Sequence, residues 1–281
     1  MEIVHTVAEL RRWSRMVRAQ TGNTVGLVPT MGALHAGHAS LIRAASASCS
    51  HSAVSIFVNP TQFGPNEDYA VYPRAFEADC ALAEANGASM VFAPSVDELY
   101  PAGAATFVTV EGLSGRLDGG SRPIHFRGVA TVVSKLLIAA EPDRAFFGQK
   151  DAAQVAVLRR MAADLRFATE IVVCPIVSDA DGLALSSRNA YLSAAERAQA
   201  LVLSRAVRKV EELAAQGERR AEALIQSTRD LFAAEPEIRI DYVELVDWST
   251  LEPIAAAAPG TLFAVAAFVG STRLIDNTIL P

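Results

Sequence analysis

Apolar positions along the first half of the chain alternate between two rhythms. Val7–Ala19 carries helical spacing, and Thr24–Pro29 (TVGLVP) is a short continuous apolar run of the kind that forms a buried strand. A helix is expected from about Gly37 to Ser48, then a second strand at Ala53–Asn59 (AVSIFVN) and a Pro- and Gly-bearing loop from Pro60 to Pro73. Helix, strand and helix follow at Phe76–Asn86, Ser89–Phe92 and Val129–Ala140. Strand, helix and strand follow again at Arg144–Phe147, Asp151–Asp164 and Thr169–Val173. Strands that alternate with helices build parallel βαβ units, so the pattern predicts an α/β fold with a doubly wound parallel (Rossmann-like) sheet. Ligands of such sheets bind beyond the carboxyl ends of the strands.

The rhythm changes after Pro175. A polar loop, Ser178–Asn189 (SDADGLALSSRN), leads into long Ala/Arg/Glu-rich helices at about Ala194–Gln216 and Arg219–Ala233. Three strand-like runs, Ile238–Val246, Leu262–Val269 and Thr272–Leu280, then close the chain. Helices followed by strands without crossovers predict a smaller C-terminal α+β domain with antiparallel pairing. The expected division is 1–176 and 177–281.

Composition narrows the function classes. With 51% hydrophobic residues and 20% charged, the chain has ample material for a core and is neither disordered nor collagen-like. A net charge of −6 argues against a protein that coats nucleic acid. No run approaches 18 uninterrupted apolar residues, and Met1–Gln20 lacks the apolar core of a signal peptide, so no membrane association is expected. Cys49, Cys80 and Cys174 form no CxxC pair and read as thiols in a reducing cytoplasm. Of 25 basic residues only Lys135, Lys150 and Lys209 are lysines.

Four segments carry candidate chemistry. PTMGALHAGH (Pro29–His38) follows a strand and opens a helix, so His35 and His38 share one side of a turn. Gly32 and Gly37 are expected to let the backbone approach a ligand, and the helix N-terminus to offer N–H groups to phosphate. Surface histidines or a chance metal site are the plain alternatives. FFGQKD (Phe146–Asp151) repeats the strand, glycine, helix arrangement, and a lysine there in an arginine-dominated chain suggests a required point charge. A solvated Lys150 is the alternative, and Asp151 is either a helix cap or a ribose acceptor. LSSRN (Leu185–Asn189) groups two hydroxyls and a guanidinium suited to anions, although these are also ordinary loop residues. In Ser55–Arg74, Asn59 and Gln62 follow a strand and can fix a polar group of a small organic substrate. RPIHF (Arg122–Phe126) is read as part of a Gly-rich loop, with His125 structural.

Taken in order, PTMGALHxGH, SIFVNPxQFGxxEDxxxYPR, FFGxKDxxQ, DGLAxSSRNxYL and the closing TRLIDN (Thr272–Asn277) resemble the pantothenate synthetase (pantoate–β-alanine ligase) family over nearly the whole chain. That family belongs to the nucleotidyltransferases with an HxGH signature. The resemblance implies that ATP and pantoate form pantoyl adenylate and pyrophosphate, and that β-alanine then attacks the acyl carbon to give pantothenate and AMP. It further implies a catalytic set of His38, His35 and Lys150. An ATP site would include Met31, Gly32, Ala33, Leu34, His35, Ala36, Gly37 and His38. To these it adds Gly148, Gln149, Lys150, Asp151, Val177, Leu185, Ser186, Ser187 and Arg188. Gln62 and Gln154 would hold pantoate, with Gln62 also near β-alanine. No protein metal site is expected, Mg²⁺ being carried mainly on ATP oxygens. A homodimer, and a C-terminal domain closing over the nucleotide, are implied as well. Asp79 matches a position tied to Mg²⁺ in some relatives and receives no role here. Gln149 stands where many relatives have Glu, and Ile124 where Gly is common. The competing readings are another nucleotidyltransferase of the same fold, which gives no reason for both glutamine motifs, and a non-catalytic nucleotide-binding protein, which gives no reason for the intact charged set.

Overall fold

Each apolar strand in the first half is followed by a helix that carries the chain back across the sheet, which is the condition for parallel pairing. The computed structural model describes residues 1–65, 67–235 and 237–281. By compactness the chain divides into two units, one of residues 1–148 and 157–175, the other of residues 149–156 and 176–281.

In the first unit the order is β1 (Glu2–Val4), α1 (Val7–Arg18), β2 (Val25–Thr30), α2 (Ala36–Ser48), β3 (His51–Ile56), α3 (Phe76–Ala85), β4 (Met90–Phe92) and the short α4 (Val96–Leu99) and α5 (Asp118–Ser121). It continues with α6 (His125–Ala140), β5 (Arg144–Gly148), α7 (Ala152–Asp164), whose first turn groups with the second unit, and β6 (Glu170–Cys174). The sheet order is β1-β4-β3-β2-β5-β6, all parallel. From β2 the chain winds outward through β3 and β4, then returns to add β5 on the other side. The topological switch point therefore lies between β2 and β5, where ligands of doubly wound sheets bind. Val28, Val54, Val91 and Phe146 point to one face of the sheet and pack with Leu41, Ile42 and Ala45 of α2. On α1, Leu10, Trp13 and Val17 form the buried stripe, and Thr6 and Glu9 close its N-terminus as a capping box.

Several boundaries differ from the sequence reading. The second strand lies at His51–Ile56 rather than 53–59, and the three-residue β1 is too short to have shown a period. The helix expected from Val129 begins at His125 and so takes His125 out of the loop. Gly128 breaks its apolar pattern.

In the second unit, α8 (Ala194–Ala215) and α9 (Ala221–Ala233) pack on an antiparallel sheet of β7 (Ile238–Asp247), β8 (Thr261–Val269) and β9 (Thr272–Ile279), ordered β7-β8-β9. Leu203, Val210, Leu224, Phe232, Phe263 and Val265 are central to its core. Beside the expected division at 176/177, the compact units meet at 175/176 and differ in one segment, Gln149–Ala156, which groups with this later unit. Hydrogen bonds explain it. The Asn277 carboxamide donates to the carbonyls of Gln149 and Lys150, and the Trp248 indole donates to that of Ala152.

Candidate active site

The histidine motif occupies the carboxyl end of β2. Gly32 and Ala33 both adopt positive φ (82° and 50°), a sharp turn that favours glycine at the first position. A Cβ on Gly32 would also lie 2.9 Å from the Asp79 carboxylate. The turn aims the amides of Ala33 and Leu34 at one anion, and that anion is Asp79: its two oxygens accept from Ala33 N (2.9 Å) and Leu34 N (2.7 Å). Asp79 is only 3% exposed. Burial raises its pKa, while the two amides pull the other way.

The start of α2 is capped by imidazoles. His35 is the N-cap residue and its Nδ1 accepts from Gly37 N (3.2 Å); His38 Nδ1 accepts from His35 N (3.3 Å), and the ring centroids lie 4.1 Å apart. This is a capping box in which histidines replace the usual hydroxyl and carboxylate. The expectation that this helix N-terminus offers its N–H groups to phosphate therefore does not hold for the Gly37 amide, which the cap takes up. The amides of Ala33, Leu34, His35 and Gly37 are all engaged by the protein itself. In exchange the rings are oriented: a neutral imidazole whose Nδ1 accepts carries its proton on Nε2. His35 and His38 are thus set as Nε2–H donors at the positive end of a helix dipole.

Gln62 is the second feature of this unit. It ends the 3₁₀ turn Pro60–Gln62 and is 7% exposed. Its Oε1 accepts from Asn59 Nδ2 (3.1 Å), and its Nε2 donates to Met31 Sδ (3.0 Å), a weak acceptor, so the amide's orientation is fixed. Its main-chain carbonyl accepts from His125 Nδ1 (3.0 Å) and lies 3.5 Å from Arg122 Nη2. Burial and the neighbouring Arg122 charge lower the His125 pKa and keep that ring neutral. Arg122 forks onto Glu67 through Nε (2.9 Å) and Nη2, and although burial pushes Glu67 up, the arginine holds its carboxyl below the ordinary value. His125 is accordingly a structural donor here. Asn66, in the same loop, lies outside the described residues.

Gly128 explains how the turn sits against α6. A Cβ there would lie 2.4–2.5 Å from backbone atoms of Thr61 and Gln62. In an open helix Gly→Ala stabilises by about 1 kcal/mol. Gly128→Ala is expected to reverse that sign and destabilise by about 1–3 kcal/mol through overpacking. A lower denaturant midpoint at unchanged slope is the readout; a raised midpoint would show that the turn moves freely.

The second unit carries the other motifs. Gln149–Asp151 form a 3₁₀ turn that opens α7, with Gln154 one turn beyond Lys150. In the 177–189 loop, Leu185 N donates to Val177 O (2.9 Å) and Asp179 N to Leu183 O (2.9 Å), giving a narrow hairpin. Arg197 ties its tip through Asp179 and Asp181. Ser186 caps the 3₁₀ turn Ser187–Tyr191, its Oγ accepting from Arg188 N (3.3 Å). Strand β9 lies beside both 3₁₀ turns, the one that carries Lys150 and the one that carries Ser187 and Arg188.

Asp276 and Asn277, within the closing TRLIDN motif, had no site role expected of them, although two polar residues in succession inside an apolar strand were the available signal. Both are buried. Burial raises the Asp276 carboxyl to about 6, against the pull of the Asn277 amide and of Lys150. Between about pH 4 and 6 the folded chain therefore retains a proton that the unfolded chain has lost, and stability falls as pH rises through that window. Asp276→Asn is expected to flatten this fall, measured as unfolding free energy at about pH 4.5 and 7; an unchanged slope would contradict it.

A parallel sheet with oriented imidazole donors at its switch point, together with a unit carrying a lysine and a hydroxyl–guanidinium turn, defines an α/β enzyme of the doubly wound class. The family model described as pantoate-beta-alanine ligase matches residues 2–279. A pantothenate synthetase of Acidobacterium capsulatum is 59% identical over 99% of this chain and 94% of its own, and one of Koribacter versatilis 55% over 100% and 96%. Among solved structures, a pantothenate synthetase from Thermus thermophilus superposes with a TM-score of 0.94 at 46% identity, covering 100% of both chains. A pantoate-beta-alanine ligase from Francisella tularensis, solved with beta-gamma ATP and beta-alanine, gives 0.78 at 31%, covering 99% and 97%. The chain belongs to the pantoate–beta-alanine ligase family. Among the described residues, no helix is long and apolar enough to cross a membrane.

Proposed function

We propose that this chain condenses pantoate with β-alanine at the expense of ATP, giving pantothenate, AMP and pyrophosphate through pantoyl adenylate. The observation that carries the reading is the imidazole pair, whose two Nδ1 atoms are both taken up by the cap of their own helix. In the first step a pantoate carboxylate oxygen attacks the α-phosphorus in line and pyrophosphate leaves. Such displacements depend on positioning and charge stabilisation. His38 donates to the phosphate oxygens where charge develops, with His35 beside it. Lys150 neutralises the triphosphate, and Ser186, Ser187 and Arg188 bind it. Asp151 lies near the ribose, and Met31–Ala36, Gly37, Gly148, Gln149, Val177 and Leu185 complete the ATP set. Gln62 and Gln154 hold pantoate. In the second step the β-alanine amine attacks the acyl carbon; a C–N bond forms, the C–O bond to AMP breaks, and the amine loses a proton.

Mg²⁺ fits this set as a companion of the nucleotide. Both oxygens of Asp79 are engaged by main-chain amides, so the ion would be held mainly by ATP phosphates and would offset their charge when bound. The homodimer follows from the family resemblance and is checked by sedimentation; a cytoplasmic location fits three cysteines outside any disulfide. The activity is tested by product balance: one AMP and one pyrophosphate should appear per pantothenate, and only with all three substrates present. Release of ADP in place of AMP would overturn the reading.

A further inference from the structure

We propose that Asn277 is a positioning residue for Lys150, fixing the direction in which the lysine leaves the 149–151 turn. The inference rests on the reading of Lys150 as a ligand of the ATP phosphates. Asn277 lies in the interior of β9, 4% exposed, and its carboxamide hydrogen-bonds the turn three times. Nδ2 donates to the carbonyls of Gln149 (3.0 Å) and Lys150 (2.9 Å), and Oδ1 accepts from Gln149 Nε2 (3.4 Å). One planar amide that engages two successive carbonyls locks the peptide between Gln149 and Lys150, and with it the Cα–Cβ direction of the lysine. Trp248 Nε1, donating to Ala152 O (3.0 Å), anchors the chain two residues further on. Lys150 is thus bracketed by two side-chain-to-backbone anchors, from β9 and from the segment after β7.

The neighbouring residue on β9 strengthens the case. Successive strand residues point to opposite faces, so Asp276 leaves the strand on the side away from the Asn277 carboxamide, while its Oδ1 accepts from the Asn277 main-chain N–H (2.9 Å). Even so, its carboxylate acts electrostatically on Lys150, with Glu211 and Arg208 the other charged neighbours. The Thr278 hydroxyl, on the Asp276 side of the strand, bonds Glu211 Oε1 (2.6 Å). Polar residues here are costly unless partnered. The Asn277 carboxamide directs all of these hydrogen bonds to the turn that carries the lysine, where an apolar residue would have served the core alone.

A flexible lysine gains from such an anchor because a compact ammonium has no planar fork to align it. A misplacement of about 1 Å at a reacting centre can cost about 10²-fold. The test is a double-mutant cycle read by pantoate-dependent ATP–pyrophosphate exchange, each protein first being shown folded by its melting transition. Asn277→Ala is expected to lower the exchange rate by about 10²-fold when Lys150 is present. In the Lys150→Ala background the same change should cost no more than about twofold. Asn277→Ser, able to reach one carbonyl only, should fall between Asn277→Ala and the parent, and it serves if the alanine variant does not fold. Equal losses in the two backgrounds would overturn the positioning role while leaving Lys150 in the reaction. A Lys150→Ala protein with undiminished exchange would instead remove Lys150 from the chemistry, and Asn277 with it.

Discussion

Lys150→Ala is expected to slow pantoate-dependent exchange by about 10²–10³-fold, the loss of about 2.7–4 kcal/mol that follows removal of one preorganised donor to a developing charge. The residue is one of three lysines in a chain that otherwise uses arginine, and it stands in a turn whose main chain is held at both carbonyls. Single-turnover adenylation should show the defect directly, while the melting temperature stays close to the parent because the ammonium is not part of the core. Lys150→Arg is expected to recover little, since a planar guanidinium does not reproduce a compact point charge. Near-parental turnover in Lys150→Ala would identify Lys150 as a solvated lysine.

Asp79→Ala is expected to be the most damaging change away from the substrate groups. It removes two charge-assisted hydrogen bonds, each worth about 1.5–3 kcal/mol, so a loss of about 3–6 kcal/mol is expected in denaturant unfolding. It also releases the left-handed Gly32–Ala33 turn that leads directly into His35. Exchange should therefore fall in whatever fraction remains folded. Asp79→Asn separates the two effects. The amide keeps the shape but turns an N–H toward one of the two donors, so it should retain about half the stabilising bonds and an intermediate rate. A stable, fully active Asp79→Ala protein would show that the turn holds itself.

Much of this was legible in the chain. The strand–glycine–helix registers at Pro29–His38 and Phe146–Asp151 were visible as local pattern, and both lie at carboxyl ends of adjacent strands in the first unit or continue directly from one. What escaped depends on distance or on unusual chemistry. The α2 cap escaped because a capping box is read from Ser, Thr, Asp and Glu, and imidazoles carry no such signal. Asp79 meets the histidine loop from 45 and 46 residues away, where periodicity gives no pairing. The start of α6 was hidden by Gly128, whose value lies in a neighbour's backbone rather than in its own helix. The grouping of Gln149–Ala156 with the later unit rests on Asn277 and Trp248, 128 and 96 residues from the groups they bind.

The measurement that bears most directly on the adenylate is isotope exchange without the second acceptor. Folded protein, ATP, pantoate and Mg²⁺ are incubated with labelled pyrophosphate and no β-alanine. The proposed chemistry predicts label entering ATP at a rate comparable to turnover, and only when pantoate is present. Protein that makes pantothenate when β-alanine is added, yet carries no label into ATP in its absence, would contradict it.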